Sequence, residues 1–299
     1  MREDLELLKG AIDIHIHASP SVFPRLIDSV EAAEAARAAG MRGLVLKHHH
    51  APTLDRAYLA AKAVPEVEVH GGVTLNYAVG GLNPFAVDAA LKLGAKIVWM
   101  PTVDASNHLA HFGELGKYGS HLDYEKPQLY EEAEGISILG DDGILDPRLG
   151  LILDSIAEAD AAVATSHLSV EESKALVDEA SRRGVGRVVV THVCFVTASL
   201  SIPDQRWMAD RGALLELCYS SLSPAWRCAS IGQVVEAIRE VGAEHYILSS
   251  DLGQVHNPLP PEGLRIYIRL LLERGVEPGE VRMMVKENPE RLLGLDEAP

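Results

Sequence analysis

The sequence predicts a (β/α)8 barrel, in which eight parallel strands alternate with helices around a closed core. Short aliphatic segments alternate along the 299 residues with alanine-rich amphipathic segments, the pattern of repeated βα units. Several of the eight strands that this pattern defines end in a histidine or an aspartate. The alternative is an open doubly wound sheet, which is less favoured because no GxGxxG motif follows an early strand.

The first predicted strand, residues 11–17, carries the most informative pattern. Three isoleucines alternate in it with Asp13, His15 and His17. Because successive side chains of a strand point to opposite faces, we expect these three polar residues on one face and the isoleucines on the other, against the helices. Two imidazoles at i and i+2 can bind one metal ion. The simpler alternative is a half-buried strand with two hydrogen-bonded histidines.

The later elements follow from aliphatic runs and helix signals. Seven further strands are predicted over 43–47, 67–75, 96–100, 162–167, 187–192, 213–218 and 246–251. Helices are predicted over 28–39, 53–64, 83–94, 169–183, 231–241, 261–274 and 278–293. Thr53 and Asn83 are expected to cap their helices, and Ser169 with Glu172 matches a capping box.

Residues 101–149 interrupt this alternation after the fourth strand. The stretch is polar, contains His108, His111 and His121, and ends in a predicted hairpin with Asp142-Gly143 at its turn. A long insertion on the active-site face of a barrel is usually a lid or a binding loop. No second-domain linker is evident, so residues 1–299 are expected to form a single barrel domain.

Composition excludes several classes of partner. The chain has 27 Lys and Arg against 43 Asp and Glu, a net charge of −16 that disfavours nucleic acid and anionic membranes. The sequence shows no signal-peptide core and no apolar run of about 18 residues, so a cytoplasmic protein is expected. The expected partner is a small-molecule substrate, and the oligomeric state is left open, with a homo-oligomer as one option.

Five potential metal ligands fall at the ends of predicted strands. In a closed barrel these ends meet at one mouth, so the five side chains are expected to lie together. Four imidazoles and one carboxylate suit Zn²⁺, with Mn²⁺, Co²⁺ or Fe²⁺ as alternatives. The residues are His15, His17, His167, His192 and Asp251.

This pattern resembles the amidohydrolase superfamily of metal-dependent hydrolases. The segment 286–295 is also similar to the terminal helix of that superfamily. More closely, the segments 13–20, 165–169 and 250–254 resemble an uncharacterised amidohydrolase-like family. The resemblance spans the barrel apart from the insertion, and it specifies a metal site without specifying a substrate.

The resemblance implies a role for each ligand. His15, His17 and Asp251 would hold the first metal ion, while His167 and His192 would complete that site or hold a second ion. Asp251 would also act as the base that takes a proton from a water activated by the metal, with His192 as a further catalytic residue.

The number of ions depends on one lysine. Superfamily members with two metals carry a bridging carboxylated Lys or a Glu at the end of strand four, and this chain has Trp99-Met100-Pro101 there. One ion is therefore the default. Lys47, at the end of strand two, is the alternative: it could be carboxylated and bridge two ions, or bind a substrate carboxylate as a cation.

Further polar residues near the strand ends are candidates for substrate binding. They are Arg25, His49, Asn76, Glu216, Gln254 and His256. For each of them, a solvated or purely structural role is the competing interpretation. Strand parity places His49 on the same side as Lys47 and so favours it within the triplet 48–50.

Three functions are compatible with these observations. The leading one is a metal-dependent hydrolase of an amide, cyclic amide, ester or lactone. The second is a metal-dependent non-oxidative decarboxylase of the same superfamily, in which Lys47 or Arg25 would bind the substrate carboxylate. The third is a catalytically silent metal-binding barrel whose insertion serves a protein partner.

Overall fold

The computed structural model describes residues 2–118, 124, 127–131, 133–140 and 142–295. The strands are β1 (Ile12–His17), β2 (Gly43–Lys47), β3 (Glu68–His70), β4 (Gly72–Thr74), β5 (Ile97–Trp99), β6 (Ala162–Ala164), β7 (Arg187–Val190), β8 (Leu214–Cys218) and β9 (Tyr246–Ser249). The α-helices are α1 (Glu3–Leu8), α2 (Ser29–Ala38), α3 (Leu54–Ala63), α4 (Pro84–Lys92), α5 (Ser106–Phe112), α6 (Pro147–Glu158), α7 (Val170–Arg182), α8 (Ile202–Ala209), α9 (Ile231–Val241), α10 (Pro260–Glu273), α11 (Pro278–Arg282) and α12 (Asn288–Leu293). The predicted (β/α)8 barrel is confirmed.

The strands form two parallel ladders, β1-β2-β3 and β4-β5-β6-β7-β8-β9. β3 and β4 together are the predicted third strand, and the ladder breaks between them at Gly71. The Thr53 hydroxyl spans the break, donating to the carbonyl of Leu46 at 2.7 Å and accepting from the N–H of Gly72 at 2.9 Å. The prediction that Thr53 caps α3 through its side chain is therefore wrong, because the sheet uses that hydroxyl.

Backbone hydrogen bonds join the end of β9 to β1 and close the ring. The N–H of Asp251 donates to the carbonyl of His15 at 2.9 Å, and the N–H of His17 donates to the carbonyl of Leu252 at 2.8 Å. The Asp13 carboxylate adds a side-chain link, accepting from the N–H of Ser250 at 3.0 Å. Closure therefore places the residues that follow β9 directly against the two histidines of β1.

Because β1 contains a β-bulge, the predicted distribution of its side chains between the two faces is wrong. Asp13 pairs with Leu44 and Ile16 with Leu46, so β1 has one residue more than β2 between these points. An extra residue reverses the alternation from there on. Two isoleucines, Ile12 and Ile14, consequently pack inside the barrel, and only Ile16 joins the layer beneath the helices.

Most predicted helix starts are confirmed by side-chain caps. Asp28 and Ser169 each form a complete capping box, and Asn83 accepts from two N–H groups at the start of α4. The predicted terminal helix contains a π-helical turn over Met283–Glu287, between α11 and α12. Leucines of α12 pack against the strand residues that fill the barrel interior. No helix in the described part of the chain could span a membrane.

The insertion is anchored to the rim of the barrel through Asp104. Its carboxylate accepts from the N–H of Tyr77 at 2.7 Å and from the hydroxyl of Tyr130 at 2.9 Å. The expected hairpin is present as one antiparallel bridge between Leu139 and Leu145. His121, which the sequence placed in this segment, lies outside the described residues.

The contact that closes the barrel should not tolerate a side chain at Gly253. This glycine has a φ of +131°, and a Cβ there would lie 1.7 Å from the carbonyl oxygen of His17. We expect Gly253→Ala to lower the free energy of unfolding by more than about 3 kcal/mol, because backbone must move. Denaturant unfolding measures the change.

Gly94→Ala is the matched control. Gly94 also has a positive φ, +91°, but a Cβ there would meet nothing within 4 Å. Backbone strain alone should cost about 1 kcal/mol. A Gly253→Ala protein that is no less stable than the Gly94→Ala protein would contradict the steric account of closure.

Candidate metal centre

A pocket lies where the carboxyl ends of the strands meet. This is the position expected for the active site of a parallel barrel. Most of the residues singled out from the sequence line it, namely His15, His17, Arg25, Lys47, His49, His167, His192, Asp251 and Gln254. The barrel therefore brings together side chains that are far apart in the chain. The most distant pair, His15 and Gln254, is separated by 239 residues.

Three of these residues converge on a point. The Nε2 atoms of His15 and His17 each lie 3.1 Å from Oδ1 of Asp251. One ligand atom from each residue lies within 4.8 Å of the other two, a spacing that suits binding of a single ion. Asp251 has a φ of +50°, a rare backbone conformation for a residue other than glycine that often occurs at functional sites.

Glu216 fixes the orientation of His15. Its Oε1 lies 3.0 Å from Nδ1 of His15 and accepts a hydrogen bond from Ser249 at 2.7 Å. Because an ionised carboxylate only accepts, Nδ1 of His15 donates to Glu216, which turns Nε2 towards Asp251. Burial opposes ionisation of Glu216, but His15, His192 and Ser249 outweigh it and lower its pKa to about 2.

Glu216 is therefore placed behind a candidate ligand and is not among the residues that line the pocket. Its role as a substrate contact, expected from the sequence, gives way to a positioning role. Glu216 and Cys218, two residues apart on β8, lie with His15 in a second cluster of closely spaced donor atoms.

Lys47 reaches the same point from β2. Its Nζ lies 3.1 Å from Nε2 of His15, and the residue is only 2% exposed. Burial lowers the pKa of Lys47, which favours the neutral amine more than at the surface. A neutral amine is the form that reacts with CO₂, so this position is compatible with carboxylation as well as with a simple hydrogen bond.

A chain of hydrogen bonds from the insertion sets the tautomer of His167. Nε2 of His108 lies 2.6 Å from the carbonyl oxygen of Lys117, which can only accept, so this nitrogen carries a proton. Burial lowers the pKa of His108 to about 4, so its Nδ1 is unprotonated. This Nδ1 therefore accepts from Nδ1 of His167 at 2.9 Å, which leaves Nε2 of His167 with its lone pair.

His17, His167 and His192 are in the neutral form that binds metals. Burial lowers the pKa of His17 and of His167 well below the usual value, and that of His192 to about 4. Neutral imidazoles are therefore expected at pH 7. Nδ1 of His17 and Nδ1 of His192 are buried without a hydrogen-bond partner among the described residues. A buried ring nitrogen without a partner, such as Nδ1 of His192, fits a site for a divalent ion.

Besides Glu216, two further predicted substrate contacts lie outside the pocket lining. The Asn76 amide donates to the carbonyl of His49 at 2.8 Å and to Thr102 at 2.7 Å, so it supports His49 from behind. His256 is exposed. Asn76 is better described as a positioning residue, because its amide is fully used by the protein.

Sequence reasoning missed the aromatic side of the pocket. Phe23, Tyr118, Phe195 and Trp226 line it together with the polar residues. Tyr118 comes from the insertion and Trp226 from the segment after β8. An aromatic residue in a loop has no periodic pattern that would show which way it points, so only the tertiary structure reveals this wall.

Comparison with known proteins gives one matching family and several solved structures with a similar fold. Residues 10–216 match a family of unknown function (DUF6282). None of the curated proteins compared with the chain matches it. An amidohydrolase from Pseudomonas aeruginosa superposes with a TM-score of 0.60 at 13% identity, covering 98% of both chains.

Two other solved structures are similar over nearly the whole chain. An organophosphorus hydrolase from Deinococcus radiodurans has a TM-score of 0.59 at 14% identity, covering 97% of this chain and 94% of its own. A 2,6-dihydroxybenzoate decarboxylase from Rhizobium has a TM-score of 0.54 at 12% identity, covering 97% and 100%. At these identities the similarity confirms the amidohydrolase-like fold, and activity has to be argued from the site.

The hydrogen-bond chain through His108 should affect metal affinity. His108→Leu removes the acceptor that fixes the proton of His167, so we expect zinc or cobalt affinity to fall about 10- to 100-fold. Competition with a chromophoric chelator measures it, and the visible spectrum of bound cobalt reports any change in ligands.

His111→Gln is the control, since His111 lies on the same helix and hydrogen-bonds to the carbonyl of Val196. Its metal affinity should stay within about twofold of the wild type, the scatter expected of a remote surface change. His108→Gln, whose amide both donates and accepts, should recover part of the loss. Equal affinities for His108→Leu and wild type would refute the role of His108.

Proposed function

The chain belongs to a family of unknown function (DUF6282), and from its site we propose that it is a metal-dependent hydrolase of a small molecule. The observation that carries this proposal is the convergence of His15, His17 and Asp251 at the mouth of a parallel barrel. Buried histidines that converge on a carboxylate are costly to assemble, and a bound divalent ion accounts for them.

The ligands in this proposal are His15, His17 and Asp251, with His167 and His192 completing the coordination. The donor set suits Zn²⁺, with Mn²⁺, Co²⁺ or Fe²⁺ as alternatives. When bound, the ion supplies Lewis-acid chemistry, polarising a carbonyl oxygen and lowering the pKa of water from 15.7 towards about 7. One ion is the default, since one cluster of three closely spaced donors faces the pocket. A second ion requires Lys47 to be carboxylated.

Asp251 is proposed as the proton carrier. Its Oδ1 faces the two histidines, while its Oδ2 accepts a hydrogen bond from the Ser220 hydroxyl at 2.7 Å. Held in this way, the carboxylate takes a proton from the attacking water and gives it to the leaving group. A leaving amine or alkoxide needs that proton, so the same arrangement serves amides, cyclic amides, esters and lactones.

Two other pocket residues contribute to the proposed chemistry. His192 is neutral, and its position beside His167, with 5.0 Å between ring centroids, lets it hold the ion or donate to the substrate oxygen. Lys47 is proposed as catalytic through its contact with His15. His49 and Gln254 line the pocket and are proposed to contact the substrate.

A decarboxylase is the second candidate. One of the similar structures is a decarboxylase of an aromatic acid, and the pocket contains the cation Arg25, which would bind a carboxylate. Release of CO₂ without a hydrolytic product would decide in favour of this reaction.

Removal of the metal tests the proposed function directly. We expect protein dialysed against a strong chelator to lose hydrolysis of lactones, cyclic amides and esters, and to regain it with Zn²⁺, Mn²⁺ or Co²⁺. Elemental analysis of the active protein should give about one ion per chain, as in barrels with a single open metal site. A folded, metal-free sample that keeps full activity would rule out the proposal.

Asp251→Asn should separate proton transfer from binding. The amide cannot take up a proton, so kcat should fall by about 10²- to 10⁴-fold, the usual contribution of a general base. Metal content is measured on the same sample, because Asp251 is also a candidate ligand. Ser220→Ala should give a smaller loss, since it removes only the hydrogen bond to Oδ2. Near-normal kcat in metal-loaded Asp251→Asn would exclude Asp251 as the base.

A further inference from the structure

Arg25 occupies a fixed position on the rim of the metal pocket. Its backbone pairs with Gln254 in an antiparallel bridge, and the next N–H, of Leu26, donates to the carbonyl of Gly253 at 2.8 Å. These contacts tie the loop after β1 to the segment that carries Asp251. The guanidinium consequently projects into the pocket from a rigid edge, with its central carbon 5.4 Å from the centre of the Phe23 ring.

The charge of Arg25 is not balanced by a bonded partner. Among the described residues, its guanidinium makes no hydrogen bond or ion pair, and its Nε is buried without an acceptor. Other arginines behave differently: Arg42, for example, contacts Glu68 and Glu290. A partly buried cation without a hydrogen-bond acceptor is unfavourable unless a bound ligand supplies the acceptor and a negative charge. Arg25 is therefore expected to have its partner in the bound substrate.

An aromatic wall runs from Arg25 to the metal-binding histidines. Phe23 contacts Tyr118 with 5.7 Å between ring centroids, Tyr118 contacts Trp226 at 5.3 Å, and Trp226 contacts Phe195 at 5.3 Å. Phe195 in turn lies 5.1 Å from the ring of His192. One end of this wall thus carries a cation and the other end the candidate ligands.

We propose that the substrate is an aromatic carboxylate, bound with its carboxylate on Arg25 and its ring along the wall formed by Phe23, Tyr118, Trp226 and Phe195. This inference rests on the proposed function, since it places the bond to be cleaved next to His192 and Asp251. A carboxylate fits better than a phosphate dianion because it matches one guanidinium fork in charge and geometry. Asp251, which lines the same pocket, would also repel a second negative charge.

Binding of simple probes to the zinc-loaded protein tests the inference without turnover. The probes are benzoate, its neutral analogue benzamide, the saturated analogue cyclohexanecarboxylate, and phenyl phosphate, each titrated calorimetrically. Benzoate should bind at least about tenfold more tightly than benzamide, because a charged hydrogen-bond pair is lost in the amide. Cyclohexanecarboxylate should bind about two- to tenfold more weakly than benzoate, the range expected for loss of ring contacts.

Arg25→Gln should weaken benzoate binding about 10- to 100-fold and leave benzamide unchanged, because only the charged pair is removed. Arg25→Lys should recover part of the affinity. Arg269→Gln, an exposed arginine of α10 that is paired with Glu273, makes the same change in net charge and should bind benzoate like the wild type. Zinc content and thermal unfolding of each variant show whether the site and the fold are intact.

Three results would overturn the inference. The first is unchanged benzoate affinity in Arg25→Gln, which would mean that the carboxylate binds to the metal alone. The second is tighter binding of phenyl phosphate than of benzoate. The third is loss of zinc or of the fold in both Arg25→Gln and Arg25→Lys, which would make Arg25 structural. A protein that binds benzoate through Arg25 but needs no metal for activity would refute the proposed function and leave the carboxylate site standing.

Discussion

The junction between β9 and β1 is the contact on which the site depends. Two backbone hydrogen bonds and the Asp13 carboxylate close the ring there, and Gly253 passes so near to the carbonyl of His17 that no side chain fits. Residues at the two ends of the chain thereby come within hydrogen-bond distance. Without this closure His17 would have no carboxylate beside it, since Asp251 directly follows the last strand of the barrel.

Electrostatics explains why so many polar groups are stable together in one buried pocket. His17, His167 and His192 are neutral because burial disfavours their charged form, so they do not repel the nearby cations. Glu216 stays ionised because His15 and Ser249 satisfy it. Glu216 and His108 engage the Nδ1 atoms of His15 and His167, so the Nε2 atoms of both rings are the ones left for an ion.

The insertion of residues 101–149, which follows β5, contributes to both ends of the site. His108 orients His167 from behind, while Tyr118 supplies the middle of the aromatic wall. The hydrogen bonds of Asp104 to Tyr77 and Tyr130 fasten the segment to the barrel, so these contributions have a fixed geometry. The insertion, expected from the sequence to be a lid or a binding loop, thus shapes the pocket and sets the tautomer of His167.

The sequence by itself determined the barrel, most helix starts and the residues that gather at its mouth. It could do so because these depend on local periodicity, on caps such as Asp28, and on polar residues at strand ends. The tertiary structure alone decided the bulge in β1, since an unbroken alternation of isoleucines gives no sign of an extra residue relative to β2. It also decided the partners of Glu216 and His108. Their hydrogen bonds cross 201 and 59 residues of chain, and no local pattern records a contact between side chains that only the closed barrel brings together.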